Sequence, residues 1–362
     1  MFEHSSQLLL LIKIIKSIAL AGIVISGAIF LNGCTVTDEP RLRLGSYATS
    51  TPGTNFIDAN NLGRHCYENF MFENNGIAYT CRGGHIDIAH VRTAADYVIY
   101  LYNKVRKNLM NNDTEFTFKL NVEPSMYFAK LDYPPDWKTL PQKERERIAD
   151  EVALELSQYF TYTMTTWHEV LTWFGYKCMG FFPEEPSAFS WEDIYSNIIG
   201  IRLGAQAVQD NEHGFDDAMT ILIKRELENL GIQSSSTARK ASEKMRGTWF
   251  DGFLLVDMRK RNMDIGMDDG FVTPTLVPGV CEDAEPQSYP VPTLAKFNSL
   301  GFKMELEVEP KEFEKNSILR IIYPNGGGKR IQPAIHLPMI MDCIKKEALG
   351  KGFTVMPPKH YR

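Results

Sequence analysis

Thr166-Trp167-His168-Glu169-Val170-Leu171-Thr172-Trp173-Phe174-Gly175 closes a run almost free of charge. From Leu156 to His168 there is no Asp, Glu, Lys or Arg; Glu169 then stands alone, and the next charge is Lys177. A helix that is apolar or neutral all round is a buried helix. An ionised carboxylate inside one is costly unless a cation, a metal or several donors compensate it. The spacing predicts one long helix over 143–173, charged at first and apolar later, ended by Gly175. It also demands a reason for Glu169.

The surrounding chain predicts a mainly helical α+β fold with a few short peripheral strands. Glu115 to Val122 alternates apolar and polar residues, as a strand does, and Tyr127–Leu131 can pair with it. Ile77–Cys81 reads as a strand broken by Arg82-Gly83-Gly84, with a helix from His85 onward. Ser190 is a good N-cap with Asp193 as its capping acid, opening a helix from Trp191 to about Val208. Further helices are expected over 215–230, 237–245 and 333–349. Strands are expected at Phe302–Val308 and Ile318–Tyr323, with one short strand at Arg41–Tyr47. Trp167, Trp173, Phe174 and Trp191 are assigned to the core. With no internal repeat and no clear linker, residues 62–362 are read as one domain, preceded by a tether over 34–61.

The first 33 residues read as a secretory leader: Leu8–Leu31 is nearly all apolar after a weakly basic start, and ends in Leu31-Asn32-Gly33-Cys34. Those four residues resemble a bacterial lipobox. The resemblance implies cleavage before Cys34 and diacylglycerol on its sulfur. The run is also long enough to serve as an uncleaved anchor. Either reading places the rest in the cell envelope, outside the cytoplasm. Thr35 after the cysteine leans to the outer membrane, facing the periplasm. The formal charge of −6, with no Lys/Arg cluster, argues against nucleic acid as a partner. In an oxidising compartment Cys66 and Cys81 can pair across a short loop; the odd total leaves another cysteine free.

His168-Glu169 begins a His-Glu-x-x pattern on a helix, as in zinc peptidases, but the second histidine position holds Thr172. His90 and Glu192 are the next candidates for metal ligands. Three protein ligands, His90, His168 and Glu192, plus a water would make an open catalytic zinc site. Glu169 is then the general base, and Tyr195, one turn past Glu192, an oxyanion donor. Asp87 shares a helix face with His90 and would hold its other ring nitrogen, with Arg92 as a further support. A non-catalytic arrangement uses the same residues: His168 hydrogen-bonded to Glu192, and Glu169 paired to Arg82 or Arg92. Three weaker features are a calcium loop at Asp264, Asp268 and Asp269, a Cys178/His168 nucleophile, and an anion cradle at Arg82-Gly83-Gly84; each is better read as a turn or a buried thiol.

The segments Tyr79–Arg92, Trp167–Gly175, Ser187–Asn197, Arg261–Gly270 and Val277–Gly279 resemble a family of bacterial lipoproteins known as a domain of unknown function. The resemblance implies a lipoprotein location, and that these segments belong to one domain. In that family an aromatic residue commonly follows the paired glycines where this chain has His85. Two functional expectations follow. One is a lipid-anchored, zinc-dependent hydrolase acting on peptide or cell-envelope material. The other is a non-catalytic envelope lipoprotein that binds a ligand or partner.

Overall fold

In the computed structural model, Gly84–Asp87 is not the start of a helix but the second strand of a hairpin. Strand β1 (Ile77–Thr80) pairs antiparallel with β2 (Gly84–Asp87), Tyr79 opposite His85. The structure describes residues 39–178, 182–183, 185–253 and 256–355. The leader and Cys34 lie outside them. Helix α1 (Ile88–Asn111) begins only when the Asp87 side chain accepts the Ala89 N–H as an N-cap. It ends at Asn112, whose left-handed backbone closes the last turn.

Strand β3 (Glu115–Phe118) pairs with β4 (Met126–Asp132), and every second residue of each is buried. The alternation that predicted them is the physical cause: a period of two puts Phe116, Phe118, Tyr127, Ala129 and Leu131 on one face. The uncharged run forms the second half of helix α2 (Gln142–Trp173), buried almost without interruption from Phe160. Helices α3 (Asp193–Val208), α4 (Phe215–Asn229) and α5 (Ser235–Lys244) follow. After the short α6 (Ala295–Ser299), strand β5 (Lys303–Glu309) completes an antiparallel sheet in the order β5-β4-β3. Helices α7 (Lys315–Ile322) and α8 (Pro333–Gly350) follow, and Thr354–Val355 then pairs parallel with Lys260–Arg261. Among the described residues no helix is long and apolar enough to cross a membrane.

Helices α1, α2 and α3 form the centre. Gly200 and Gly204, one turn apart on α3, face the α1 backbone. A Cβ on Gly200 would lie 2.2 Å from the Val91 carbonyl oxygen, and one on Gly204 2.8 Å from Ala95 Cα. Only glycine permits this approach, and it brings the start of α3 beside the first turn of α1.

Four further expectations change. Ile318–Ile322 lies in helix α7, with Tyr323 as its C-cap, and Ile318 and Ile322 are buried one turn apart; the same β-branched residues suit either period. Arg41–Tyr47 forms no strand. Residues 39–61, read as a tether, pack on the body: Ala48, Thr49 and Ile57 are wholly buried. Cys81 pairs with Cys281, 200 residues away, and Cys66 is a free thiol. Closing so long a loop restricts the unfolded chain strongly.

Candidate functional site

The first turn of α1 presents His90 three residues after its N-cap Asp87. His90 Nδ1 lies 3.0 Å from Asp87 Oδ2 and 3.7 Å from Asp193 Oδ1. Asp193 opens α3, and its Oδ2 accepts the Ser190 N–H at 3.2 Å. The expected capping acid is therefore present, but the same carboxyl also faces His90. Glu192 sits beside it; its Oε1 accepts the Ala48 N–H at 2.8 Å. Glu169 comes from α2, and its Oε2 accepts the Phe189 N–H at 2.6 Å. Phe189 has φ +53°, a left-handed turn that aims this N–H at the carboxyl. Asp87, Glu169, Glu192 and Asp193 are all buried, while the His90 side chain keeps 27% of its surface.

One imidazole thus faces Asp87 and Asp193, with Glu169 within electrostatic reach, and Glu192 adjoins Asp193. Burial alone would lower the His90 pKa, but Asp87 and Asp193, with Glu169 behind them, hold it up at about 10. Burial pushes Glu169 up to about 8; Asp193 adds to this, while His168, His90 and the Phe189 N–H pull the other way. Burial and Asp193 raise Glu192 well above the carboxylate range. Asp193 is raised by burial, and His90 opposes the shift. Glu192 Oε2 is buried without a hydrogen-bond partner; the Ser190 hydroxyl lies near enough to favour charge there but makes no well-formed bond.

The chain before the hairpin covers this cluster. Ser46 N–H donates to Asp87 Oδ2 at 2.8 Å, beside the Ala48 bond to Glu192. A Cβ on Gly45 would meet Asp87 Oδ2 at 2.8 Å and His90 Cε1 at 3.0 Å, so a glycine lets the strap lie flat on the pair. The strap is itself pinned by a second buried network. Arg43 pairs with Glu73 and Asp96, His65 Nε2 lies 2.9 Å from Asp96 Oδ1, and Arg41 also reaches Glu73.

Other candidates go elsewhere. His168 Nδ1 contacts Glu123, and its ring meets Tyr176 edge-on. Neighbours on a helix point about 100° apart, so His168 and Glu169 serve different surroundings. Tyr195 donates its hydroxyl to the Gln287 carbonyl at 2.6 Å and stacks on Tyr289. Arg92 bonds the Leu62 and Asn74 carbonyls, and Arg82 pairs with Gln287, so neither neutralises Glu169. His85 packs against Trp191, and burial lowers its pKa to about 4. Asp264 and Asp269 spend oxygens on the N–H groups of Gly266, Thr273 and Phe271, as turn residues do. The Cys178 side chain lies outside the described residues. Among the described residues, no three His, Cys, Asp or Glu side chains converge closely enough to hold a metal ion. Two open grooves, about 480 and 490 Å³, are lined by Leu154, Gln158, Arg202 and Pro290 and by Phe116, Phe128, Glu307 and Arg330. Neither includes a cluster residue.

The sequence reading missed Asp193 as a member of the cluster, because capping seemed to account for it, and it missed Glu123. It also missed the strap; the alternation of Arg41 and Arg43 with Leu42 and Leu44 was the available signal.

The molecule is a mainly helical α+β protein built around a buried imidazole–carboxyl cluster. It belongs to the family described as Protein of unknown function (DUF4056), whose model matches residues 51–257. That span includes His90, Glu169, Glu192 and Asp193. No curated protein and no solved structure matches the chain.

Proposed function

We propose that the chain is a lipoprotein of the cell envelope, held through lipid on Cys34 in the outer membrane and facing the periplasm. Its His90-centred cluster binds a divalent cation and serves a hydrolase acting on peptide or cell-envelope material. The observation that carries this reading is the excess of buried acid: Asp87, Asp193 and Glu169 act on one imidazole, Glu192 adjoins Asp193, and one oxygen of Glu192 has no hydrogen-bond partner. Perturbed carboxyls gathered around a histidine are a common mark of a working site.

To hold the ion, His90, Asp193 and Glu192 would have to draw closer together than they lie in this structure, with Asp87 orienting the His90 ring. The orphaned Glu192 oxygen and the donor types fit a cation, although His168 does not join them. Zinc accepts one imidazole with carboxylates, and the oxygen-rich set suits magnesium or manganese as well. When bound, such an ion supplies a water activated near neutral pH. Glu169, raised to about 8, is suited to hold and return a proton at neutral pH. Asp87, fixed by the Ser46 and Ala89 N–H groups, holds its carboxylate 3.0 Å from His90 Nδ1 and so favours the charged ring.

A non-catalytic role for the cluster is favoured by one observation: the strap covers it, and both described grooves lie elsewhere. Metal analysis of the purified full chain decides. A near-stoichiometric divalent ion, lost in His90→Ala and Glu192→Gln and retained in His168→Ala, supports the cation site. A metal-free protein whose melting temperature falls in His90→Ala assigns the cluster to support of the fold.

A further inference from the structure

We infer that Leu42, Leu44, Met71 and Phe72 form an edge that seats in the surface of the bilayer to which Cys34 is tied. The inference rests on the lipoprotein reading above. These four large apolar side chains are 47%, 78%, 72% and 62% exposed. Single exposed apolar residues are ordinary, but grouped ones mark contact surfaces.

The grouping follows from the second buried network. Burial alternates along the strap: Arg43 is buried, while Leu42 and Leu44 on either side face out. Arg41 and Arg43 both donate to the Cys66 carbonyl and both pair with Glu73. The loop between Cys66 and Glu73 carries Met71 and Phe72, and the Phe72 carbonyl is held by the Arg64 N–H at 2.8 Å. Strap and loop are therefore locked together at the two ends of that loop, and their outward residues belong to one edge.

Chain length names the occupant. Leu42 is eight residues after Cys34, which spans at most about 28 Å when fully extended. A lipid on Cys34 would hold this edge close to the membrane surface, where exposed Leu, Met and Phe side chains gain by leaving water. Anchoring of this kind combines a lipid with a second contact. The strap continues directly into Gly45–Ala48 over the His90 cluster, so the docked edge would place that cluster next to the bilayer. Substrate carried in or on the membrane is then the substrate class within reach.

The test uses the full chain in phospholipid vesicles, with and without brominated acyl chains, which quench nearby tryptophan. Leu44→Trp and Phe72→Trp each add one reporter, and Leu349→Trp on α8 is the control. Trp137, Trp167, Trp173 and Trp191 are buried and Trp249 is partly buried; the unsubstituted chain measures their background. The expected result is loss of most of the added emission at positions 44 and 72, little loss at 349, and no reversal by high salt. Protein that floats with the vesicles yet shows no extra quenching at 44 and 72 overturns the inference and leaves the lipoprotein reading standing. A Cys34 peptide whose mass lacks diacylglycerol overturns the lipoprotein reading, while quenching still decides the docking.

Discussion

Two polar networks are buried within one helix of each other, and they solve the same problem in opposite ways. Around Asp96 and Glu73, the acids are met by Arg41, Arg43, Arg92 and His65. Around His90, the cluster of Asp87, Asp193, Glu169 and Glu192 contains a single imidazole. Burial would raise Glu73, but the Arg43 hydrogen bond and charge outweigh it and hold Glu73 far below the usual range. Glu169 and Glu192 lack such a partner, and burial carries them upward. A charge in a poorly polarisable interior must be neutralised by something. The first network does this with its own side chains. The second does it with protons or with a cation from outside, and that difference makes it the candidate for function.

The comparison breaks most visibly at Arg43. Arg43→Ala leaves Glu73 and Asp96 buried without their main cation and is expected to destabilise the fold by about 3–5 kcal/mol; urea unfolding measures it. A loss under about 1 kcal/mol would mean that the network is not needed.

The next largest effect is with pH, and the two networks carry opposite limbs. Glu73 has a depressed folded pKa, so its stabilisation is present above the usual carboxylate range and is lost as pH falls below it. Glu169 and His90 have raised values. Their contribution is complete below about pH 4.5 and 6.5 and is lost as pH rises through about 8 and 10. Each pKa unit corresponds to about 1.4 kcal/mol. Urea midpoints between pH 3 and 10 should fall at both ends, and Glu169→Gln should flatten the alkaline fall alone. An unchanged alkaline limb in that variant would remove Glu169 from the titrating cluster.

His168→Ala separates the pair that the sequence joined. It is expected to cost about 1–2 kcal/mol through the lost Glu123 contact, and to leave the His90 titration, followed by NMR, where it was. A moved titration would reconnect the two sites. The smallest change is Glu192→Gln. The amide oxygen can still accept the Ala48 N–H, and burial with Asp193 already disfavours charge on this carboxyl. Stability at pH 7 should change by less than about 1 kcal/mol, in contrast with Arg43→Ala; a large loss would show that Glu192 is ionised and paired.

Much of the fold was legible because it follows from periodicity. The uncharged run predicted α2, and alternation predicted β3 and β4; Ser190 and Asp193 predicted a helix from Trp191, but α3 starts two residues later, at Asp193, with Glu192 at the N-cap and no side-chain cap from Ser190. Legibility failed where one pattern serves two structures. The isoleucines after Asn316 suit a strand or a helix, and Gly84–Asp87 can extend a hairpin or start a helix. For the site, Glu169, His90, Asp87 and Glu192 stood out in the sequence, and the fold gathers them into one buried cluster. His168 was the natural companion only because it is adjacent in sequence, and adjacency on a helix turns side chains apart.

The sequence by itself determined which residues needed explaining: a carboxylate in an apolar rod, a histidine one turn past an aspartate, and an acid pair opening a helix. Only the tertiary structure decided which of them meet. The Gly200/Gly204 contact sets α3 on α1, and this brings Asp193 to His90. The strap from Arg43 to Ala48 then seals the cluster with two backbone N–H groups. Contacts of this kind depend on how closely backbones approach across long stretches of chain, and local spacing carries no record of that distance.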